Sequence, residues 1–180
     1  TDATPKPLLV VQGKPLLQWP LEALARGGFD RAVVNTAWLG EQIAEMFPGI
    51  FTVQPSSSNP VPLSNQERSV GTVQIRYSHE ERDFGGALET AGGIARALPL
   101  LCPPAGGATA PADSVFWVLA GDVFAPDFVF RQTDVDRFVA SDRLAHLWLV
   151  PNPEHHPRGD FGLSPDPGSP DGMALALNLD

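Results

Sequence analysis

A single cysteine, Cys102, stands in this 180-residue chain, so no disulfide can close within it and nothing points to an oxidising compartment. Cations are scarce too. Lysine and arginine together number 12 against 21 acidic residues, a formal net charge of -9. A broad nucleic-acid or anionic-membrane footprint needs Lys and Arg clusters, so partners of both kinds are excluded. A small phosphate ligand is not, because a local nest of backbone amides binds one without side-chain charge. No apolar run approaches the ~20 residues of a membrane-spanning helix. The opening TDATPKP carries neither a signal-peptide pattern nor an initiating Met. There is no GxSxG, and Cys102 lies in a Pro-rich stretch rather than at a helix terminus, which leaves nucleophilic catalysis little support.

What is present is a globular pattern, 43% apolar and 18% charged, long enough for one domain with a real core. Strand-like runs fall at 32–35 (AVVN), 73–78 (VQIRYS), 115–120 (VFWVLA) and 145–150 (AHLWLV). Helical segments are predicted between them. Residues 15–26 open on Pro15 and close at Gly27 and Gly28 as a C-cap pair, with Pro20 implying a kink or a late start. Residues 38–46 stop before Pro48, residues 88–98 stop before Pro99, and residues 127–140 begin with Asp127 as a cap. This alternation predicts an α/β fold, Rossmann-like, with a mainly parallel sheet and helices on both faces. The unbroken run VFWVLA reads as a central strand buried on both sides. Residues 51–71 and 102–114, rich in Pro, Ser, Gly and Ala, read as loop insertions, and 164–172 as a third loop before a strand in MALALNL.

In open parallel sheets ligands bind beyond the carboxyl ends of the strands. Asn35 follows the first run, His79 and Glu80 the second, Gly121 and Asp122 the third, and Asn152 the fourth. Asp122 has two readings, a turn residue or the carboxylate that meets a polyphosphate through Mg²⁺. Lys6, between two prolines in TPKPL, is held on a stiff extended segment; a solvated loop lysine is the plainer reading. In GGALETAGGIAR, Gly92 and Gly93 lie near a helix start, where amides are free and a ring can approach; a loop-to-helix junction with Thr90 as cap is the alternative. In NPEHHPRGDFGL, adjacent His155 and His156 lack the further ligands of a zinc site. That loop, with Asn152, Arg158, Gly159 and Asp160, reads as the wall of a sugar or phosphate pocket, or as solvated loop. Trp19 and Trp38 read as core or pocket wall rather than cofactor stacks.

Taken in order, TPKPLL, GKPLLQWPLEALARGGFDRAVVNTAWLGEQI, IRYSHE, ALETAGGI, VLAGDVF and LVPNPEHHPRGDFGL resemble the sugar-1-phosphate nucleotidylyltransferases. NTAWL and NPEHHPRGDF make the resemblance most specific to the bacterial N-acetylmuramate-1-phosphate uridylyltransferases, often labelled mannose-1-phosphate guanylyltransferase-like. The resemblance implies a nucleotide-diphospho-sugar transferase fold and Mg²⁺-dependent transfer of a nucleotidyl group, from UTP to N-acetylmuramate 1-phosphate, with release of pyrophosphate. It places the protein in the cytoplasm, in peptidoglycan recycling. The alternatives are a GTP and mannose 1-phosphate enzyme, or a non-catalytic nucleotide-binding fragment.

By the same resemblance Lys6 meets the nucleotide phosphates or pyrophosphate. Glu89, Thr90, Gly92 and Gly93 recognise the base, and Asp122 binds the metal. Asn152, Gly159 and Asp160 border the sugar with Asn35, and Arg158 meets the sugar phosphate. The family also carries a first strand and a Gly-rich, Arg-containing loop before TPKPL, and a second acidic metal ligand well beyond the position of Asp180. The chain is therefore expected to be one nucleotidyltransferase domain, incomplete at both ends, and by itself weakly active or inactive. The residues leave the oligomeric state open.

Overall fold

The structure, a computed structural model, describes residues 3–53, 71–101, 115–141, 143–166 and 173–178. The predicted insertion at 102–114 and most of that at 51–71 lie outside them, as does Cys102. The chain divides into two compact units, Thr1–Val139 and Ala140–Asp180.

In the first unit, Lys6–Leu8 form one turn of 3-10 helix directly after Pro5. A short hairpin follows, β1 (Val10–Val11) against β2 (Lys14–Pro15), turning through Gln12 and Gly13, both at positive φ. Helix α1 (Gln18–Arg26) starts late, as Pro20 requires: in its first turn a missing N–H costs nothing. It ends in a full C-terminal motif. Gly28, at φ 84°, bonds back to Ala25 O, and Phe29 N to Leu24 O at 3.0 Å.

The main sheet has three strands in the order β3 (Arg31–Thr36), β5 (Thr72–His79), β4 (Ile50–Thr52). β3 and β5 run parallel, from Arg31 opposite Gln74 to Thr36 opposite His79, while β4 pairs antiparallel with β5. The sheet is thus mixed, not mainly parallel. β4 also takes in Phe51 and Thr52, which the sequence assigns to a loop. In β5 the period of two is clean: Val73 and Ile75 are buried between exposed Thr72, Gln74 and Arg76. Val73 and Ile75 join Leu17, just before α1, Leu21 of α1, and Ile43 and Phe47 at α2 (Gly40–Met46) in one core cluster. Tyr77 closes it by donating to Phe47 O at 2.6 Å, and burial pushes its hydroxyl up to about 12.

Four expectations fail here. Residues 115–120 make no ladder, and Val115, Val118 and Leu119 are exposed, so VFWVLA is no buried central strand. A strand is defined by its neighbour, and this segment has none among the described residues. Between Val115–Leu119 and Asp30–Asn35, along the β3 edge that has no strand partner among the described residues, lies a cavity of about 1010 Å³, walled partly by α1 and α4 (Glu89–Leu101). Second, α4 continues through Pro99, whose lost hydrogen bond falls in the last turn. Third, Asp127 is not a helix cap, because α5 begins at Gln132. Phe128 and Phe130 instead join Trp117 and Phe29 in edge-to-face contacts around Ala23 and Leu24, and that packing holds the segment out of a helix. Fourth, Trp38 is 61% exposed, which removes the core reading and leaves that of a pocket wall.

In the second unit the run 145–150 likewise makes no ladder and is largely exposed. The regular structure is an antiparallel pair, β6 (Phe161–Pro165) with β7 (Ala174–Asn178), registered from Phe161 opposite Asn178 to Pro165 opposite Ala174. Ser164 and Pro165, read as loop, close β6, and β7 sits inside the predicted MALALNL strand. Arg143 pairs with Asp166 at 2.6 Å, tying the start of this unit to the end of β6.

Candidate functional site

Two motifs far apart in sequence meet in the first unit. The prolines around Lys6 deliver it to the turn at Gly121–Asp122, where its Nζ stands 4.0 Å from Asp122 Oδ2. Both groups face solvent, with side chains 70% and 42% exposed. Gly121 lies over Pro7 and Leu17, so the TPKPL segment and the GD turn pack edge to edge. Asp122 is therefore a turn residue whose carboxylate also faces a lysine; the two readings are not exclusive.

The metal reading can be tested on the donors. Among the described residues no group of three or more His, Cys, Asp or Glu could hold a metal. A closed protein cage for zinc or calcium is thus absent there. One accessible carboxylate beside a lysine fits the looser pattern in which Mg²⁺ is held by one carboxylate plus phosphate oxygens and water.

Beside β3 and β5 sits the glycine-rich segment. α3 (Glu80–Phe84) leaves β5, Gly85 reverses the chain at φ 77°, and α4 starts at Glu89, itself in the left-handed region at φ 57°. Glu89 and Thr90 are exposed. Both later glycines are required by close approach. A Cβ on Gly92 would stand 2.8 Å from Leu88 Cβ; one on Gly93 would stand 2.6 Å from Glu80 Oε1 and 2.8 Å from Asn35 Nδ2. The structure therefore brings Asn35, a candidate for the sugar side, next to Gly93 of the base-recognition candidates. Asp83 of α3 bonds Arg96 of α4 at 2.9 Å and Arg82 at 3.0 Å, and the Arg96 guanidinium, then that of Arg82, holds its carboxyl below the usual range. Thr36 Oγ1 and His79 Nδ1 lie 3.1 Å apart at the carboxyl ends of the paired strands.

Within the second unit, residues 152–160 form a tight loop. Asn152 donates to Pro157 O at 3.0 Å, and Gly159 N to His156 O at 3.1 Å. Gly159 is at φ 65°, and a Cβ there would overlap the Asn152 side chain. His156 faces Asp160, Nε2 to Oδ1 3.3 Å, and both are exposed, as are His155 and Arg158. Asn152 is thus the internal brace of the loop that carries Gly159 and Asp160. The paired histidines supply no zinc site among the described residues.

The residues mark Glu80 only as a polar group after the second strand run, without the bond it makes, and they do not mark Glu22 at all. Glu80, only 6% exposed, accepts from Leu88 N at 2.9 Å. Its signal was an acid directly after a buried strand and before two glycines. Glu22, 8% exposed, holds Lys14 at 2.8 Å and Gln18 at 2.8 Å, and Lys14 lies 4.9 Å over the Trp19 ring, so the hairpin is locked to α1.

Comparison with known proteins follows the same motifs. The chain is 42% identical over 174 residues to the N-acetylmuramate alpha-1-phosphate uridylyltransferase of Neisseria meningitidis serogroup B, covering 92% of this chain and 58% of that protein. It is 30% identical over 132 residues to the catalytic subunit beta of mannose-1-phosphate guanylyltransferase of Drosophila melanogaster, 73% of this chain and 28% of that one. It is also 30% identical over 99 residues to a UTP–glucose-1-phosphate uridylyltransferase of Synechocystis, 52% of this chain and 21% of that one. No family model matches the chain. Among the described residues no helix is long and apolar enough to cross a membrane.

Proposed function

We propose that this chain, which belongs to the sugar-1-phosphate nucleotidylyltransferases, carries the site of an enzyme that transfers a uridylyl group from UTP to N-acetylmuramate 1-phosphate. The sugar phosphate oxygen attacks the α-phosphorus in line, the bond from that phosphorus to the bridging oxygen breaks, and pyrophosphate leaves. Such transfer asks the protein for positioning and charge neutralisation rather than covalent chemistry. The observation that carries this reading is the meeting of Lys6 and Asp122 at 4.0 Å on an open face, in a chain 42% identical to a protein of that activity.

Lys6 draws the triphosphate by charge and favours pyrophosphate as its negative charge grows. Asp122 would hold Mg²⁺, which when bound neutralises phosphate charge and orients the departing group. Glu89, Thr90, Gly92 and Gly93 take the base, with Asn35 beside them. Asn152, Arg158, Gly159 and Asp160 take the sugar phosphate, and the rigid brace of the 152–160 loop suits a pocket wall that does not reorganise on binding. Cytoplasmic peptidoglycan recycling is the setting such a product fits.

Guanylyl transfer to mannose 1-phosphate is the second reading, supported by the 30% identity to the Drosophila protein. Calorimetric titration of the protein with UTP, and separately with GTP, in the presence of Mg²⁺ decides between them. UTP binding that weakens about 10-fold or more in Asp122→Asn, with no GTP binding, is the expected result. Preference for GTP transfers the assignment to the mannose reaction, and binding of neither nucleotide refutes both.

A further inference from the structure

A carboxylate buried in a protein is costly unless its oxygens are satisfied. Glu80 is such a group, 6% exposed at the junction of β5 and α3. Its partner is a backbone amide: Leu88 N donates to Oε2 at 2.9 Å. That bond spans the reversal through Gly85 and fixes the residue just before Glu89. Glu89 needs fixing, because a non-glycine residue at φ 57° sits in a sparsely populated region that persists only where its surroundings determine it.

The other oxygen of Glu80 points the opposite way, toward α4. A Cβ on Gly93 would stand 2.6 Å from Oε1, and Gly92 presses as closely on Leu88. One side chain therefore holds the start of the segment Leu88–Gly93 by a hydrogen bond and lies close beside its end at Gly93. The clasp from Asp83 to Arg96, 2.9 Å, binds α3 to α4 from the solvent side.

We infer that Glu80 is the positioning residue of the nucleotide-recognition segment. Its carboxylate sets Leu88, and through Leu88 the left-handed Glu89 and the presentation of Glu89 and Thr90 to the base. The inference rests on the reading of Glu89–Gly93 as the base site. Glu80 touches neither base nor phosphate and acts through the backbone it holds.

The test uses the intact protein with Glu80→Ala, Glu80→Gln and Glu80→Asp. Gln keeps an acceptor oxygen at the same reach; Asp keeps the charge but withdraws it, and stands in for Ala should that variant not fold. Amide exchange of Leu88 and Glu89 is followed without ligand, and KM and kcat are measured with the nucleoside triphosphate. In Ala and Asp, exchange at Leu88 quickens and KM for the nucleotide rises about 10-fold or more, the worth of one charge-assisted hydrogen bond. Their kcat stays within about 3-fold of the unaltered enzyme, since only ground- and transition-state binding alike is lost. Gln stays near the unaltered protein on both counts. Unchanged exchange in Ala or Asp, or faster exchange with KM unmoved, overturns the assignment. So does a Gln variant as impaired as Ala. Absence of nucleotide binding by the unaltered protein sinks the base-site reading itself, and with it this role; the exchange data then report separately whether Glu80 holds Leu88.

Discussion

Replacing Gly93 by alanine pits helix propensity against packing, and the structure says which wins. Within α4 the exchange alone stabilises by about 1 kcal/mol, because glycine loses more backbone freedom on folding. Against it stands the new methyl, 2.6 Å from Glu80 Oε1 and 2.8 Å from Asn35 Nδ2, where ordinary contact begins at 3.4 Å. Glu80 must retreat by about 0.8 Å, yet its other oxygen is committed to Leu88 N at 2.9 Å. Overpacking of this kind costs about 1–3 kcal/mol. The net expectation is destabilisation by about 1 kcal/mol, a fall in melting temperature of roughly 2–4 °C for a domain of this size. Gly86 supplies the control seven residues away: a Cβ there meets nothing within 4 Å, and its φ is ordinary. Gly86→Ala is expected to be neutral or stabilising by about 0.4–1 kcal/mol, through the unfolded chain. Urea unfolding of the two variants, side by side, reads the difference directly. In a Glu80→Ala background the cost of Gly93→Ala should shrink but not vanish, because the nearer of the two atoms it strikes is gone while Asn35 Nδ2 remains. A Gly93→Ala protein as stable as Gly86→Ala would refute the reasoning and leave Glu80 free of the helix.

Three further outcomes follow from the geometry. Lys6→Ala should change unfolding free energy by less than about 1 kcal/mol, since a pair 70% and 42% exposed adds little stability, while calorimetry shows weakened nucleotide binding; a large stability loss would recast Lys6 as structural. Tyr77→Phe should cost about 1 kcal/mol in urea unfolding by leaving Phe47 O without its 2.6 Å donor. With the Tyr77 hydroxyl raised to about 12 from 10.0, its stabilising effect is full below pH 10 and is lost as pH rises toward 12, and Tyr77→Phe should abolish that alkaline loss. Asp83, held low by Arg96 first and Arg82 second, contributes stability present above the ordinary carboxylate range and lost as pH falls through its lowered value; in Arg96→Ala its NMR titration should move up toward ordinary behaviour.

Parts of this arrangement are legible in the chain because they are local. Alternation in VQIRYS gives β5 and GG after ALAR gives the end of α1, whereas Lys6, expected on an extended segment between its prolines, opens a turn of 3-10 helix instead. The first two are decided within a few residues by sterics or capping. The same holds for the 152–160 loop, where Gly159 at φ 65° and Asn152 meet because the backbone requires it.

What the residues leave open is decided by partners. VFWVLA has the composition of a buried central strand, but burial and pairing belong to neighbours, and beside Val115–Leu119 the structure has a cavity of about 1010 Å³ rather than a strand. AHLWLV fails in the same way, while SP at 164–165, poor in strand propensity, becomes strand because β7 lies opposite. FVF at 128–130 looks like the start of a helix but stays outside one, packed against Trp117 and Phe29, which no window around it contains. Glu80 is the instructive case for the site. In sequence it is one acid among 21, and only the fold turns its two oxygens to opposite ends of the same loop. Motifs thus name candidate groups for binding, and the fold alone names the groups that hold those in place; an account of specificity in this protein has to be built from the second kind as much as the first.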